Sequence, residues 1–289
     1  MEPTTNNVQE IILKANEVLR SGEGVDEIIK TLKDTLHSIE PSRDDYYEVL
    51  IKLSSVYKYN RSYSKAESIL LSGIQNAKMY EKELRLADIY RTLSFIKLQQ
   101  EDFVKARSYA KKALSIIKYV KGFKGSKNRA NIYAVLGNIY FTTKEYEEAL
   151  EYYEKALKEA EDIDYDERVI TVKGDIANLY IETDRLDEAE EILISIKEKA
   201  SEIHAKAVPQ IFLRLARIEY QRDRLDEARE LIGKAIKVSE RKEWKRDLAE
   251  AREALARVYE KEGKYEEAKK EYSVSKKLFK EIGLDSKGN

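Results

Sequence analysis

Few residues of this chain are equipped for covalent chemistry. It has two histidines, His37 and His204, and neither stands at ligand spacing to a second one. It has no cysteine, which removes thiolate nucleophiles, thiolate metal sites and disulfides together. Gly122-x2-Gly125 is too short for a phosphate-binding loop and lacks the Gly-Lys-Ser/Thr ending such a loop needs. The many glutamates sit at i, i+4 spacings that support helix surfaces. The reading is a non-enzyme with no cofactor and no metal. What does stand out is segregated charge. From Phe103 to Thr143 there is no Asp or Glu, while Lys105, Arg107, Lys111, Lys112, Lys118, Lys121, Lys124, Lys127 and Arg129 are basic. The next stretch, Glu145 to Glu191, has eighteen acids against five bases. A single-sign block of this length could hold an acidic protein, a nucleic acid, or the acidic block of a second copy in a homo-oligomer. The plainer alternative is a solvated face balanced by its acidic neighbour. Nucleic acid also wants exposed aromatics for stacking, and most tyrosines here fall at core spacing, so it is the disfavoured partner.

The elements that must carry these residues are helices. Charged residues make up 37% of the chain but the net charge is −1, so no global field draws it to membranes or nucleic acid. Three Pro and eleven Gly leave little beyond helix–helix connections. No apolar run approaches the roughly 18 residues of a membrane span. Met1–Asn7 has neither the basic nor the apolar region of a signal peptide. The expected location is a reducing cytoplasm, and abundant Lys, Glu and Arg with few Met lean toward a hot one.

Asn131 to Ala160 shows how the helices pair. Tyr133, Leu136, Gly137 and Tyr140 share one helix face, and Tyr146, Ala149, Leu150, Tyr153, Ala156 and Leu157 share another. Small residues in the middle of both faces, Gly137 and Ala149, let two backbones approach as a hairpin. The small alanine recurs as Ala66, Ala106, Ala149, Ala189, Ala228 and Ala268, at steps of 40, 43, 40, 39 and 40 residues. The preceding helix repeats as Leu53-Ser54, Leu93-Ser94, Leu136-Gly137, Ile176-Ala177, Leu215-Ala216 and Leu255-Ala256. Residues 1–41 form a hairpin without this motif, since Glu27 or Ile28 stands where the small alanine belongs; it reads as a degenerate cap with a frayed Met1–Asn7. Residues 42–289 hold six repeats, with the last helix, Tyr265 to Ile282, closing the end before a short polar tail. Gly122 to Ser126 reads as the longest loop and as the source of the one 43-residue step.

Six registered copies of Leu/Ile–small…Ala resemble the tetratricopeptide-repeat (TPR) family. The resemblance implies an all-α, right-handed superhelical solenoid of antiparallel hairpins. The period exceeds the consensus of about 34 and lacks its proline, as in kinesin light chains, Pins-type polarity scaffolds and bacterial peptide-sensing regulators. No effector domain of the last group is present. The family implies a scaffold that binds an extended peptide or helix of an unidentified protein in a concave groove, with no membrane role. Its groove positions map onto Ser55, Phe95, Asn138, Asn178, Arg217 and Arg257 beside the small residue. Four residues earlier come Ile51, Arg91, Ala134, Gly174, Leu213 and Glu253, and three later Lys58, Leu98, Phe141, Ile181, Tyr220 and Glu260. Asn138 and Asn178 would pair with peptide backbone, because an amide both donates and accepts. Arg91, Arg217 and Arg257 would select acidic groups, and Phe95, Phe141 and Tyr220 would anchor apolar ones. The carboxylate clamp of chaperone-binding arrays does not fit three consecutive repeats here. The alternative is an assembly unit that self-associates, or binds an acidic partner or nucleic acid, through the basic stretch 105–129.

Overall fold

The computed structural model describes residues 3–203 and 205–282; Met1, Glu2, His204 and the tail from 283 lie outside the described residues. Fourteen α-helices occupy nearly all of them: α1 (Thr5–Ser21), α2 (Val25–His37), α3 (Asp44–Tyr59), α4 (Tyr63–Met79), α5 (Glu83–Gln99), α6 (Phe103–Ile117), α7 (Gly122–Thr142), α8 (Tyr146–Glu161), α9 (Asp166–Glu182), α10 (Leu186–Ile203), α11 (Val208–Gln221), α12 (Leu225–Arg241), α13 (Lys245–Lys261) and α14 (Tyr265–Glu281). A 3-10 turn, Ala205–Ala207, precedes α11, whose first turn takes Pro209 because the missing N–H has no partner to lose there. No described helix is long and apolar enough to cross a membrane. The helices pair in antiparallel hairpins from α3–α4 to α13–α14. They form two compact units: Met1–Leu19 with Glu23–Tyr165, and Asp166–Asn289 with Arg20–Gly22.

Close approach at small residues closes each hairpin. Ala66, Ala106, Ala149, Ala189, Ala228 and Ala268 are at most 2% exposed. Opposite them lie Leu53, Leu93, Leu136, Ile176, Leu215 and Leu255, all buried. Ser94 Oγ reaches across to donate to the Ala106 carbonyl at 2.7 Å, a distance that only small side chains permit. At Gly137 a Cβ would lie 2.5 Å from two ring carbons of Tyr153. Within each unit the first helices of successive hairpins touch, α3 with α5 and α5 with α7, α9 with α11 and α11 with α13. The second helices pack on their own hairpin and on the next first helix.

The turns share one device. Arg61, Glu81, Glu101, Lys144, Asp164, Asp184, Asp223 and Glu243 all have left-handed φ between 50° and 62°, and Gly263 has φ 75°. The residue after each donates its N–H back over five positions, as in Ser62 to Tyr57 O at 2.8 Å, Glu145 to Tyr140 O at 2.9 Å and Lys264 to Tyr259 O at 2.8 Å. This is the Schellman closure, which satisfies carbonyls left open at a helix end. Eight of these nine positions use a residue with a Cβ rather than glycine.

Two expectations need correction. The chain is helical from Thr5, not frayed to Asn7: Val8 is fully buried, and Thr5 Oγ1 donates to Asp45 at 2.9 Å and Gln9 to Glu48 at 2.9 Å. Gly122–Ser126 is not a loop but the first turn of α7, at 21 residues a long helix, and only Lys118–Lys121 connects it to α6. The reason is Gly125. A Cβ there would lie 2.0 Å from the Val120 carbonyl oxygen, so the glycine admits the turn against the helix, and Arg129 Nη1 donates to that same carbonyl at 2.6 Å. The extra residues of the 43-residue step thus lengthen a helix.

Three substitutions test this packing by chemical denaturation. Gly137→Ala should destabilise the chain by about 1–3 kcal/mol, because the Tyr153 ring is buried and has to shift. Gly233→Ala, mid-helix with nothing within 4 Å of the new methyl, should stabilise it by about 0.5–1 kcal/mol. Lys144→Gly should also stabilise, by about 1 kcal/mol, through relief of its left-handed φ. A neutral Gly137→Ala would count against the hairpin contact.

Candidate functional site

The positions beside the small residues fall on the first helices and divide between the two units. Arg91, Phe95, Asn138 and Phe141 lie in the first, on α5 and α7; Asn178, Arg217, Tyr220 and Arg257 lie in the second, on α9, α11 and α13.

In the first unit, Asn138 follows Gly137, so the Tyr153 ring that packs over the glycine also reaches the amide. Tyr153 O–H donates to Asn138 Oδ1 at 2.6 Å. The oxygen is thereby committed, and the half-buried amide keeps its Nδ2 hydrogens without a partner among the described residues. One face of half-buried Phe95 is covered by Lys58 from α3, with Nζ 4.3 Å from the ring centroid. Phe141 packs against Tyr146 of its own hairpin, centroids 5.9 Å apart. Arg91 Nη2 donates to Asp88 at 3.3 Å. Leu98 is 8% exposed and belongs to the core. On the same helix as Asn138, Asn131 Oδ1 is buried without a hydrogen-bond partner.

The second unit repeats the scheme with charge added. Arg217 Nη1 donates to Asn178 Oδ1 at 3.4 Å and Nη2 pairs with Glu182 at 2.7 Å. The Asn178 amide therefore also has its oxygen held and its Nδ2 unpartnered among the described residues. Gly174, one turn earlier, leaves room for Arg214 of α11, whose guanidinium comes within 3.2 Å of where a Cβ would stand. Arg214 pairs with Asp175 at 3.7 Å. Burial raises the Asp175 carboxyl above its ordinary value, and Arg214 and Arg168 draw it partly back. Arg257 pairs with Glu253 at 2.6 Å. Lys261 covers Tyr220, with Nζ 4.4 Å from its centroid. Spacing did not single out Arg214, for which a glycine at 174 facing an arginine about one repeat later was the available signal. Spacing placed Tyr153 on the packing face with Ala149, but nothing marked its hydroxyl as the partner of Asn138.

The basic stretch behaves differently. Lys105 pairs with Asp102, Arg107 with Glu145 and Arg129 with Glu159. Lys111, Lys112, Lys118, Lys121, Lys124 and Lys127 are exposed, along the second helix α6, in the turn after it and at the start of α7. Among the described residues no group of His, Asp or Glu is placed to hold a metal ion.

A family model described as tetratricopeptide repeat matches residues 128–196 and 208–281. No curated protein sequence matches the chain. Among solved structures, a Rap protein complexed with Competence and Sporulation Factor superposes with a TM-score of 0.68 at 17% identity, over 96% of this chain and 78% of that one. The Rap conjugation gene regulator of plasmid pLS20, in complex with the Phr* peptide, gives 0.64 at 13% identity, over 98% and 99%. BtubC (BKLC) from P. vanneervenii gives 0.59 at 18% identity, over 80% and 94%. At such identities the likeness is one of fold. Together with the six-fold alanine register and the hairpins it builds, the match places the chain in the tetratricopeptide-repeat family.

Proposed function

We propose that this chain is a non-catalytic scaffold that holds an extended segment of a partner protein against the first-helix faces of its hairpins. The observation that carries the reading is the same local arrangement of one amide in each unit. Asn138 and Asn178 each have the oxygen tied down, by Tyr153 and by Arg217, which leaves the Nδ2 hydrogens to donate. Fixed donors of this kind suit backbone carbonyls, which every peptide offers, so they favour an extended main chain over a particular sequence. The pLS20 regulator named above was captured with a peptide, and the shared fold makes a peptide ligand a natural expectation here.

The arginines shape selectivity. Arg91, Arg217 and Arg257 each already face an acid of the same surface: Asp88, Glu182 and Glu253. A partner's carboxylate has to compete with those acids, so backbone pairing and the half-buried Phe95, Phe141 and Tyr220 carry more of the affinity than charge does. In this reading residues 1–41 cap the array and 42–289 present the binding repeats.

Selection of displayed peptides on the intact chain tests this. Asn138→Ala with Asn178→Ala should weaken the selected peptides about 5- to 150-fold, the equivalent of losing about 1–3 kcal/mol in two hydrogen bonds. Peptides that bind wild type and double variant alike would overturn the assignment of the amides. Glu182→Gln, which releases Arg217, should shift the selected peptides toward Asp and Glu; an unchanged pool would show that Arg217 does not face the ligand.

A further inference from the structure

A second surface lies apart from the first-helix faces, in the first unit along α6 and around its turn into α7. Lys111, Lys112, Lys118, Lys121, Lys124 and Lys127 are exposed there, and none makes an ion pair among the described residues. Unpaired lysines occur elsewhere on the surface, but here six stand in a stretch from Phe103 to Thr143 that holds no Asp or Glu. Two large rings stand among them: Tyr119 is 81% exposed and Phe123 56%. Lys118 Nζ lies 5.3 Å from the Tyr119 centroid, and Lys127 Nζ lies 6.0 Å from that of Phe123. A shallow depression runs along α6 from Phe103 to Ser115, with Lys111 and Lys112 in its wall.

The combination narrows the partner. Two of the cations lie near the end of α6, two in the turn after it and two at the start of α7, a spread of positions that suits a linear polyanion rather than one small anion. An acidic peptide would match the lysines and leave the rings idle. Rings interleaved with cations are what unpaired bases use, by stacking while the phosphates meet the charges. The six are all lysines, compact point charges without the planar fork that reads a guanine edge, so contact would be tolerant of sequence. Tyrosine spacing alone had disfavoured nucleic acid on the ground that the rings were buried; Tyr119 and Phe123 remove that ground.

We propose that α6 and the α6–α7 turn bind single-stranded nucleic acid, phosphates against these six lysines and bases against Tyr119 and Phe123. The site shares no residue with the amide faces.

The test is fluorescence anisotropy of the full chain with a labelled oligo(dT) of about twenty nucleotides, titrated between 50 and 200 mM salt. Six phosphate contacts on a single strand predict a slope of about −4 in log affinity against log salt, a loss of a few hundred-fold over that range. Tyr119→Ala with Phe123→Ala should weaken binding tenfold or more at fixed salt and leave the slope in place. Lys118→Gln, Lys121→Gln and Lys124→Gln together should flatten the slope by about 2. All five positions are exposed, and helical circular dichroism checks that each variant folds. Absence of binding at 50 mM salt, or an aromatic variant that binds as well as wild type, overturns the proposal. So does a duplex that competes as well as the single strand, or a tighter hold on polyglutamate or phosphatidylserine vesicles.

Discussion

The contact of two helix backbones across a small residue governs this molecule. It occurs six times, at the alanines from Ala66 to Ala268, and the rest of each hairpin follows from it. A longer side chain at any of these alanines would hold the helices apart and empty the space that Leu53, Leu93, Leu136 and their equivalents fill. The same contact fixes what lies beside it. Because Gly137 has no side chain, the Tyr153 ring lies flat enough on α7 for its hydroxyl to hold the neighbouring amide of Asn138. Stability and the presentation of a polar group thus arise from one piece of packing.

The surface divides into two electrostatic regimes. On the first-helix faces nearly every charge is answered by a neighbour: Arg85 by Glu48, Arg217 by Glu182, Arg257 by Glu253. Such pairs are partly exposed and each contributes little to stability, but they leave the face close to neutral and let hydrogen bonding and apolar contact dominate. Around the turn from α6 to α7 the charges are of one sign and unanswered. The acidic stretch that follows in sequence supplies partners only to Arg107 and Arg129. Similar residue types therefore do different work according to which neighbours the fold brings them.

The alanine register and the alternation of helices were legible in the sequence because they repeat, and repetition makes a weak signal strong. What escaped reading depends on single places. Left-handed turns are normally announced by glycine, and here Arg61, Glu101, Lys144 and others occupy them, so the closures carry no local mark. Gly125 looked like a breaker because glycine usually is one; in fact it lets the Val120 carbonyl approach inside a longer helix. Tyr119 stands at no repeated position and Phe123 in the stretch read as a loop, so nothing in the register marked either as an exposed ring. The amide positions were found by register, but the hydroxyl and guanidinium that orient them come from elsewhere in the chain, and spacing does not report such partners.

The ion pairs between hairpins carry one more consequence. Arg85 of α5 meets Glu48 of α3, Lys97 of α5 meets Glu67 of α4, and Arg229 of α12 meets Glu262 just after α13. The sign of charge changes from junction to junction: the residue after the repeat alanine is an acid at Glu67 and a base at Arg229, although the apolar register beneath them is nearly identical. A hairpin lost or duplicated by recombination would still find its apolar seat. It would also bring mismatched charges to each new junction. The shared core makes copies easy to gain; the private pairings make them poor substitutes for one another, and that difference opposes drift in copy number and slippage of one hairpin into another's place.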